Sequence, residues 1–329
     1  PFYFVTRQLL NGVVPGLVAF AVFGLVDYRR WRPFAFAALV LSIVSLLLVY
    51  IPGIGEMRGG ARSWVALGPI GFQPSELVKL TFLVYVSAWL AARKGSDAHD
   101  FHQGLIPFLA AVGTVMGLLI LQPDTGSMAV IVGTALALYF LSGAPVSWFL
   151  FLCAGGVGLL AFLIRTSPYR AARFMTFLYP ELEPMGKGYH INQALLAIGS
   201  GGFMGVGYGE SRQKFLYLPE VESDSIVAVM GEELGFVGIA VLLTLFTTLV
   251  WRAISIARET RDPFGRYLAA GIAVMLTIQL FLNVGSMTGL VPMAGVTLPF
   301  FSHGGSAMTI LLGLIGLLAA IPRGSLRRL

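Results

Sequence analysis

The sequence predicts an all-α integral membrane protein. About nine transmembrane helices form a bundle, with a large extracytoplasmic loop and a re-entrant segment. Three observations predict this. Of 329 residues, 57% are hydrophobic and 12% charged, against about 25% charged in a soluble domain. Nine long stretches are apolar nearly all round, as helices in lipid are. Lys and Arg gather in alternate short loops. A membrane barrel would instead show short segments of alternating polarity.

The nine spans are residues 9–26, 34–51, 74–92, 104–121, 126–142, 146–164, 234–254, 267–284 and 304–321. The loops and ends at 27–32, 92–103, 141–145, 255–266 and 322–329 carry twelve Lys or Arg, counting Arg252 at a helix end. The short segments on the other side carry three, Arg7, Arg58 and Arg62. The first side is therefore predicted to be cytoplasmic. The net charge of +6 reflects this topology and is not a nucleic-acid signal. Nine spans put residue 1 outside, so a further span before it, ten in all, is expected in the full protein. No signal-peptide pattern opens the chain. The lone Cys153 excludes an intrachain disulfide and reads as helix packing.

The chain reads as one polytopic domain over 1–329, with 165–224 as its large outer loop. That loop has one predicted helix, 189–198, and a glycine-rich run, 199–209. The run mimics a nucleotide-binding loop, but no strand precedes it, which rejects that reading. Segment 51–73 is rich in Gly and Pro and reads as irregular. Segment 287–303 is too apolar for an ordinary loop and too broken by Pro and Gly for a straight helix. It is expected to dip back into the membrane, where protein or a water-filled cavity covers its backbone.

Charged groups at a membrane boundary are costly unless solvated, paired or used. Glu76 and Lys79 open the third span in Q-P-S-E-L-V-K, three residues apart and able to pair. A dipole-compensating Glu and a Lys reaching the interface is the alternative. Asp124, in L-Q-P-D-T-G, suits an N-cap, a site group, or both. Arg212, Lys214, Glu220, Glu222 and Asp224 form a charge-dense approach to the seventh span. Asp224 reads as an N-cap or as a site carboxylate, because positions 228, 231 and 235 on its helix face are small. Glu232 and Glu233 lie about two turns deeper, which decoration explains poorly. Arg212 and Lys214 would bind an anion or meet lipid headgroups. His303, between Ser302 and two glycines, is a site group or a surface turn. His99 and His102, with Asp97 and Asp100, have metal-like spacing but read as a solvated loop. The candidates map to the outer ends of different spans, which suits a substrate with an anionic part approached from the outer leaflet.

These residues carry a resemblance. The stretches G-A-R-S-W-V-A-L-G-P-I-G-F-Q-P-S-E-L-V-K (60–79), L-Q-P-D-T-G (121–126), S-R-Q-K-F-L-Y-L-P-E (211–220), S-D-S-I-V-A-V-M-G-E-E-L-G-F-V-G (223–238) and N-V-G-S-M-T-G-L-V-P-M-A-G-V-T-L-P-F-F-S-H-G-G-S (283–306) resemble, in order, the SEDS family, which includes RodA, FtsW and SpoVE. The resemblance implies a ten-span glycosyltransferase of the bacterial inner membrane. Such an enzyme polymerises lipid II into peptidoglycan strands at the outer face, serving elongation, division or sporulation. It works with a class B penicillin-binding protein. The resemblance puts the family's key acid, usually written H-T-D, on Asp224, where this chain reads E-S-D. It puts the Q-P-S-E-x-x-K pair on Glu76 and Lys79 and the Q-P-D turn on Asp124. The family's S-Y-G-G-S reads S-H-G-G-S, with His303 for the tyrosine.

The implied chemistry is attack of a sugar 4-hydroxyl on an anomeric carbon with pyrophosphate leaving. It needs a base, for which Asp224 is the candidate. It also needs positive charge, from Arg212, Lys214, Lys79 or a divalent cation, Mg²⁺ or Mn²⁺, with Asp224 as an oxygen ligand. Glu76 and Lys79 would otherwise shape the cavity or position an acceptor. The competing class is a lipid II flippase. It explains polar groups in an apolar bundle but not their gathering on one side. A scaffold that only recruits the partner synthase is the third reading.

Overall fold

In the computed structural model, residues 3–58, 61–67, 70–93, 100–179, 188–215 and 218–326 are described. All nine predicted spans are helical. The helices are α1 (Tyr3–Leu25), α2 (Tyr28–Leu48), α3 (Pro74–Ala91), α4 (Phe101–Leu121), α5 (Thr125–Leu141), α6 (Val146–Thr166), α7 (Pro168–Leu178), α8 (Tyr189–Gly201), α9 (Ile226–Glu259), α10 (Pro263–Met287) and α11 (Gly305–Leu326). Among the described residues, seven of these are long and apolar enough to cross a membrane. Of the other predicted spans, α5 has 17 residues, and α3 carries Glu76 and Lys79 in 18.

Two elements depart from expectation. Segment 51–73 contains a three-stranded antiparallel sheet, β1 (Gly55–Arg58), β2 (Ala61–Leu67) and β3 (Ile70–Phe72), in the order β1-β2-β3. Its reason is local. Along β2, Ser63 and Val65 are buried and Arg62, Trp64 and Ala66 are not, the period of two that a half-covered strand requires. Gly55 and Phe72 flank Val65 in register. In the outer loop, α7 precedes the predicted α8. Ser167 caps it by accepting from Arg170 N–H at 3.5 Å, and Pro168 takes the first helical position.

The chain divides into two compact units, Pro1–Phe149 with Val250–Ile278 and Gly304–Leu329, and Leu150–Leu249 with Gln279–His303. In the first, α1 packs along α11 and α2 along α3. Small residues let backbones approach: a Cβ on Gly305 would come within 2.7 Å of Asn11 O. The Ser42 and Thr81 hydroxyls bond at 2.6 Å, and Gln122 Nε2 donates to Leu46 O at 2.7 Å. In the second unit, Ala194 and Ala197 of α8 pack with Val227, Ala228, Leu242 and Phe246 of α9 and with Leu298.

The predicted seventh span begins earlier than expected, at Ile226, and is broken at Gly235, whose φ of 63° and ψ of −163° leave the helix. Position 235 therefore does not continue the small face on which positions 228 and 231 lie. Segment 288–304 is not helical, as its Pro and Gly content predicts.

Candidate active site

The candidate residues fall into two groups, one in each unit. In the first unit, Lys79 Nζ donates to Glu76 Oε1 at 2.7 Å, and both side chains are buried. The i, i+3 spacing on α3 makes the pair. A buried charge needs such a partner. Asp124 stands at the N-cap of α5. It caps α5 by accepting from Ser127 N–H at 3.0 Å. It also accepts from Ser75 Oγ at 2.8 Å and Gln73 Nε2 at 3.1 Å. Gln73-Pro74-Ser75 thereby ties the start of α3 to the start of α5.

In the second unit, Asp224 stands in a turn, two residues before α9 begins, and is half-buried. Its segment is held from one direction. The main-chain N–H of His303 donates to Glu222 O at 2.6 Å. The Ser302 hydroxyl donates to Ser223 O, and Asn283 Nδ2 donates to Asp224 O at 3.1 Å. Three successive carbonyls thus accept one bond each from residues 283–303. Asn283 Nδ2 also donates to Val296 O at 2.7 Å, which fixes the irregular segment to α10. A Cβ on Gly295 would lie 3.4 Å from Asp224 Oδ2, so that segment runs close beside the carboxylate. On the other flank, Ser225 Oγ donates to Pro219 O at 2.8 Å and lies 2.6 Å from His190 Nε2. Its single proton is used, so His190 presents the Nε2–H tautomer. Burial pushes the His190 imidazole down to about 4, against an upward pull from Glu220 and a further downward push from Arg173. Burial raises the Glu222 carboxyl, opposed by His303 and reinforced by Glu220.

Glu232 and Glu233 organise the loop that carries the basic residues. Glu232 accepts from Ser211 Oγ at 2.5 Å, Arg212 N at 3.0 Å and Gln213 N at 3.3 Å. Glu233 accepts from Lys214 Nζ at 2.7 Å, and that ammonium also donates to Gly209 O at 2.5 Å. Lys214 is thereby paired, whereas Arg212 is exposed. His303 contributes its main chain, and its ring is half-buried.

Sequence reasoning missed Asn283, Ser302, Ser225 and His190. Asn283 had a signal, an amide inside a largely apolar helix that carries a second amide at Gln279. Among the described residues no three His, Cys, Asp or Glu gather as metal ligands. Asp97 and His99 lie outside the described residues, and Asp100 caps the turn at Gln103 N–H, 2.6 Å away.

Comparison with known proteins agrees over nearly the whole chain. The FtsW/RodA/SpoVE family profile, described as "Cell cycle protein", matches residues 1–326. Stage V sporulation protein E of Bacillus subtilis is 41% identical over 326 residues, 98% of this chain and 88% of that protein. A probable peptidoglycan glycosyltransferase FtsW of Legionella pneumophila is 40% identical over 324 residues, 98% and 82% of the two chains. Among solved structures, one chain of a peptidoglycan synthase complex superposes with a TM-score of 0.79 at 29% identity, covering 97% of this chain and 89% of that one. The rod shape determining protein RodA of Thermus thermophilus does so at 0.70 and 30%, covering 97% and 87%. The chain is an integral membrane protein of the FtsW/RodA/SpoVE family.

Proposed function

We propose that this protein is a peptidoglycan glycosyltransferase that joins lipid II units at the outer face of the bacterial inner membrane, with Asp224 as its general base. The observation that carries the reading is the fixation of Asp224: the carbonyls at 222, 223 and 224 are each held by residues 283–303. A base must sit within hydrogen-bond reach of the proton it takes, so its position is the first requirement. In the reaction, the 4-hydroxyl oxygen of one sugar forms a bond to the anomeric carbon of another. The Asp224 carboxylate takes the hydroxyl proton. The bond from that carbon to the pyrophosphate oxygen breaks, and its electron pair leaves with the pyrophosphate. The leaving group is a weak base, so charge stabilisation suffices.

Among the basic candidates we assign that role to Arg212, which is exposed. Lys214 and Lys79 are each tied to a glutamate and are assigned to holding the architecture. The donor set suits a divalent cation of one kind: Asp224 as a lone carboxylate, with substrate phosphates and water completing the shell, as Mg²⁺ accepts. Bound there, Mg²⁺ or Mn²⁺ would neutralise the charge on the pyrophosphate. Glu76 with Lys79, and Asp124 with Ser75, set the shape of the α3 and α5 starts. A class B penicillin-binding protein is the proposed partner. That is supported by the likeness to a peptidoglycan synthase complex.

The test is purified Asp224→Asn with lipid II, with and without EDTA. Loss of polymerisation by about a hundredfold or more is expected, with partner co-purification retained. Full activity in the variant sinks the base assignment. Retained lipid scrambling with no polymerisation in the unmodified protein would favour transport.

A further inference from the structure

On the glycosyltransferase reading above, we propose that Arg173 of α7 binds the pyrophosphate of the donor lipid beside Asp224, as a second cation to Arg212. The helix α7 follows α6, an apolar span, with only the Ser167 cap between them. Met175 and Leu178 of α7 are exposed, whereas Arg173 is half-buried. Two routes bring Arg173 to the candidate base, both within the second unit. Arg173 Nη1 donates to Met293 O at 3.4 Å. Two residues on, a Cβ at Gly295 would lie 3.4 Å from Asp224 Oδ2. The guanidinium and the carboxylate thus border the same stretch of chain, in which the Cα atoms of 293 and 295 are at most about 7 Å apart. From the other direction, His190 Nε2 lies 2.6 Å from the hydroxyl of Ser225, the residue after Asp224. Burial is the main cause of the low His190 pKa, and the Arg173 charge adds to it, so that charge is felt at the residue behind the base.

The chemistry asks for a cation at this place. A direct displacement puts the attacking hydroxyl and the leaving oxygen on opposite sides of the anomeric carbon. With a hydrogen bond at each end and reacting atoms in near-attack contact, base and cation stand on the order of 10 Å apart. Two groups that flank residues 293–295 fit that range. A guanidinium presents its N–H donors in a planar fork that matches phosphate oxygens. Half-burial makes its attraction stronger than that of a fully solvated charge. The two phosphate groups of a pyrophosphate give two cations separate work, and Arg173 reaches them from α7 while Arg212 comes from the loop that Glu232 holds. The bond to Met293 O fixes the guanidinium in advance, as stabilisation of a departing charge requires.

The experiment measures binding of geranylgeranyl pyrophosphate to the purified full chain by native mass spectrometry, in EDTA so that no metal bridges the phosphates, alongside lipid II polymerisation. The unmodified protein is expected to bind this probe. Arg173→Gln keeps a donor for Met293 O but loses the charge. It should bind the probe about tenfold more weakly or worse and lower kcat on the order of a hundredfold. Arg173→Lys, which keeps the charge, should retain part of both. A purely structural tie to Met293 O predicts the reverse order, with Arg173→Gln close to the unmodified protein, and that result would overturn the proposal. Arg165→Gln, exposed at the end of α6, should change neither readout. Failure of the unmodified protein to bind the probe would overturn the proposal, as would displacement of the probe by phosphatidylglycerol, which would show a headgroup site. Binding is read without turnover. Full polymerisation by Asp224→Asn would therefore sink the base assignment alone, and the comparison of Arg173→Gln with the unmodified protein would still decide the role of Arg173.

Discussion

Asn283 holds the backbone of the candidate base directly. It is 1% exposed, and its amide donates to both Asp224 O and Val296 O. Removing it leaves two carbonyls without their donor, and each such loss in a buried setting costs about 1–3 kcal/mol. The carboxylate would then be free to shift, and a displacement near 1 Å costs on the order of a hundredfold in rate. Asn283→Ala is therefore expected to lower kcat for lipid II polymerisation by about ten- to a hundredfold with little change in KM. Wild-type kcat in a folded variant would remove Asn283 from the positioning role. His190 supports the other flank through Ser225. Its folded pKa, about 4, lies below the unfolded value near 6.5. The unfolded chain thus binds the extra proton between those values, and stability falls as pH drops through that window. At pH 5 the difference is about 2 kcal/mol. His190→Gln, with no titrating ring, should show a shallower fall in Tm between pH 7 and pH 5 than the unmodified protein. Parallel curves would refute the assignment. Asp224 was legible as a charge at a helix start, and Asp124 as a cap. The residues that hold the Asp224 segment were not, because Asn283 lies 59 positions from Asp224 and Ser302 lies 79 from Ser223.

The element that departs most from its sequence pattern is α9, whose helix face through positions 224, 228, 231 and 235 reads as continuous yet breaks at Gly235. A broken helix strands carbonyls on one side and N–H groups on the other. The loop after α8 satisfies both. Val206 N and Gly207 N donate to Glu232 O and Glu233 O, while Phe236 N and Val237 N donate to Gly202 O and Phe203 O. Only glycine fits where the two backbones meet. Gly205 has φ of 82°, and a Cβ there would collide with Glu233 O. The glycine run that mimics a nucleotide loop is thus a brace for a broken helix, and the same break presents Glu232 and Glu233 to residues 211–214. Gly205→Ala is expected to lower Tm sharply. The positive φ alone costs about 1–2 kcal/mol, and the collision adds to it. Gly199→Ala, inside α8 where a Cβ meets nothing within 4 Å, should leave Tm unchanged or raise it slightly, since alanine favours helix. Equal Tm values for the two variants would refute the brace. The break itself was not legible, since Gly235 inside an apolar run is tolerated in ordinary membrane helices. The sheet at 55–72 was missed for another reason: its strands have 4, 7 and 3 residues, too short for alternation to stand out among Gly and Pro.

At the scale of the molecule, the nine spans were legible because lipid demands long apolar helices, and that demand does not depend on tertiary packing. The division into two units was not, because it cuts α9 and α10 within their own lengths. The expected orientation can be tested at α9. The part after Gly235, residues 236–259, rises about 36 Å. That length exceeds the hydrocarbon core of about 30 Å, enough to cross it. By its arginines the turn after Glu259 is expected on the cytoplasmic side, and the proposed function needs residues 220–224 on the other. Single cysteines at Glu220 and at Arg261, both exposed, in a background where Cys153 is serine, test this in intact cells. A membrane-impermeant maleimide is expected to label the 220 site at once and the 261 site only after permeabilisation. The reverse pattern would put Asp224 on the cytoplasmic side. Polymerisation at the outer face would then fall even if Asp224→Asn proved inactive.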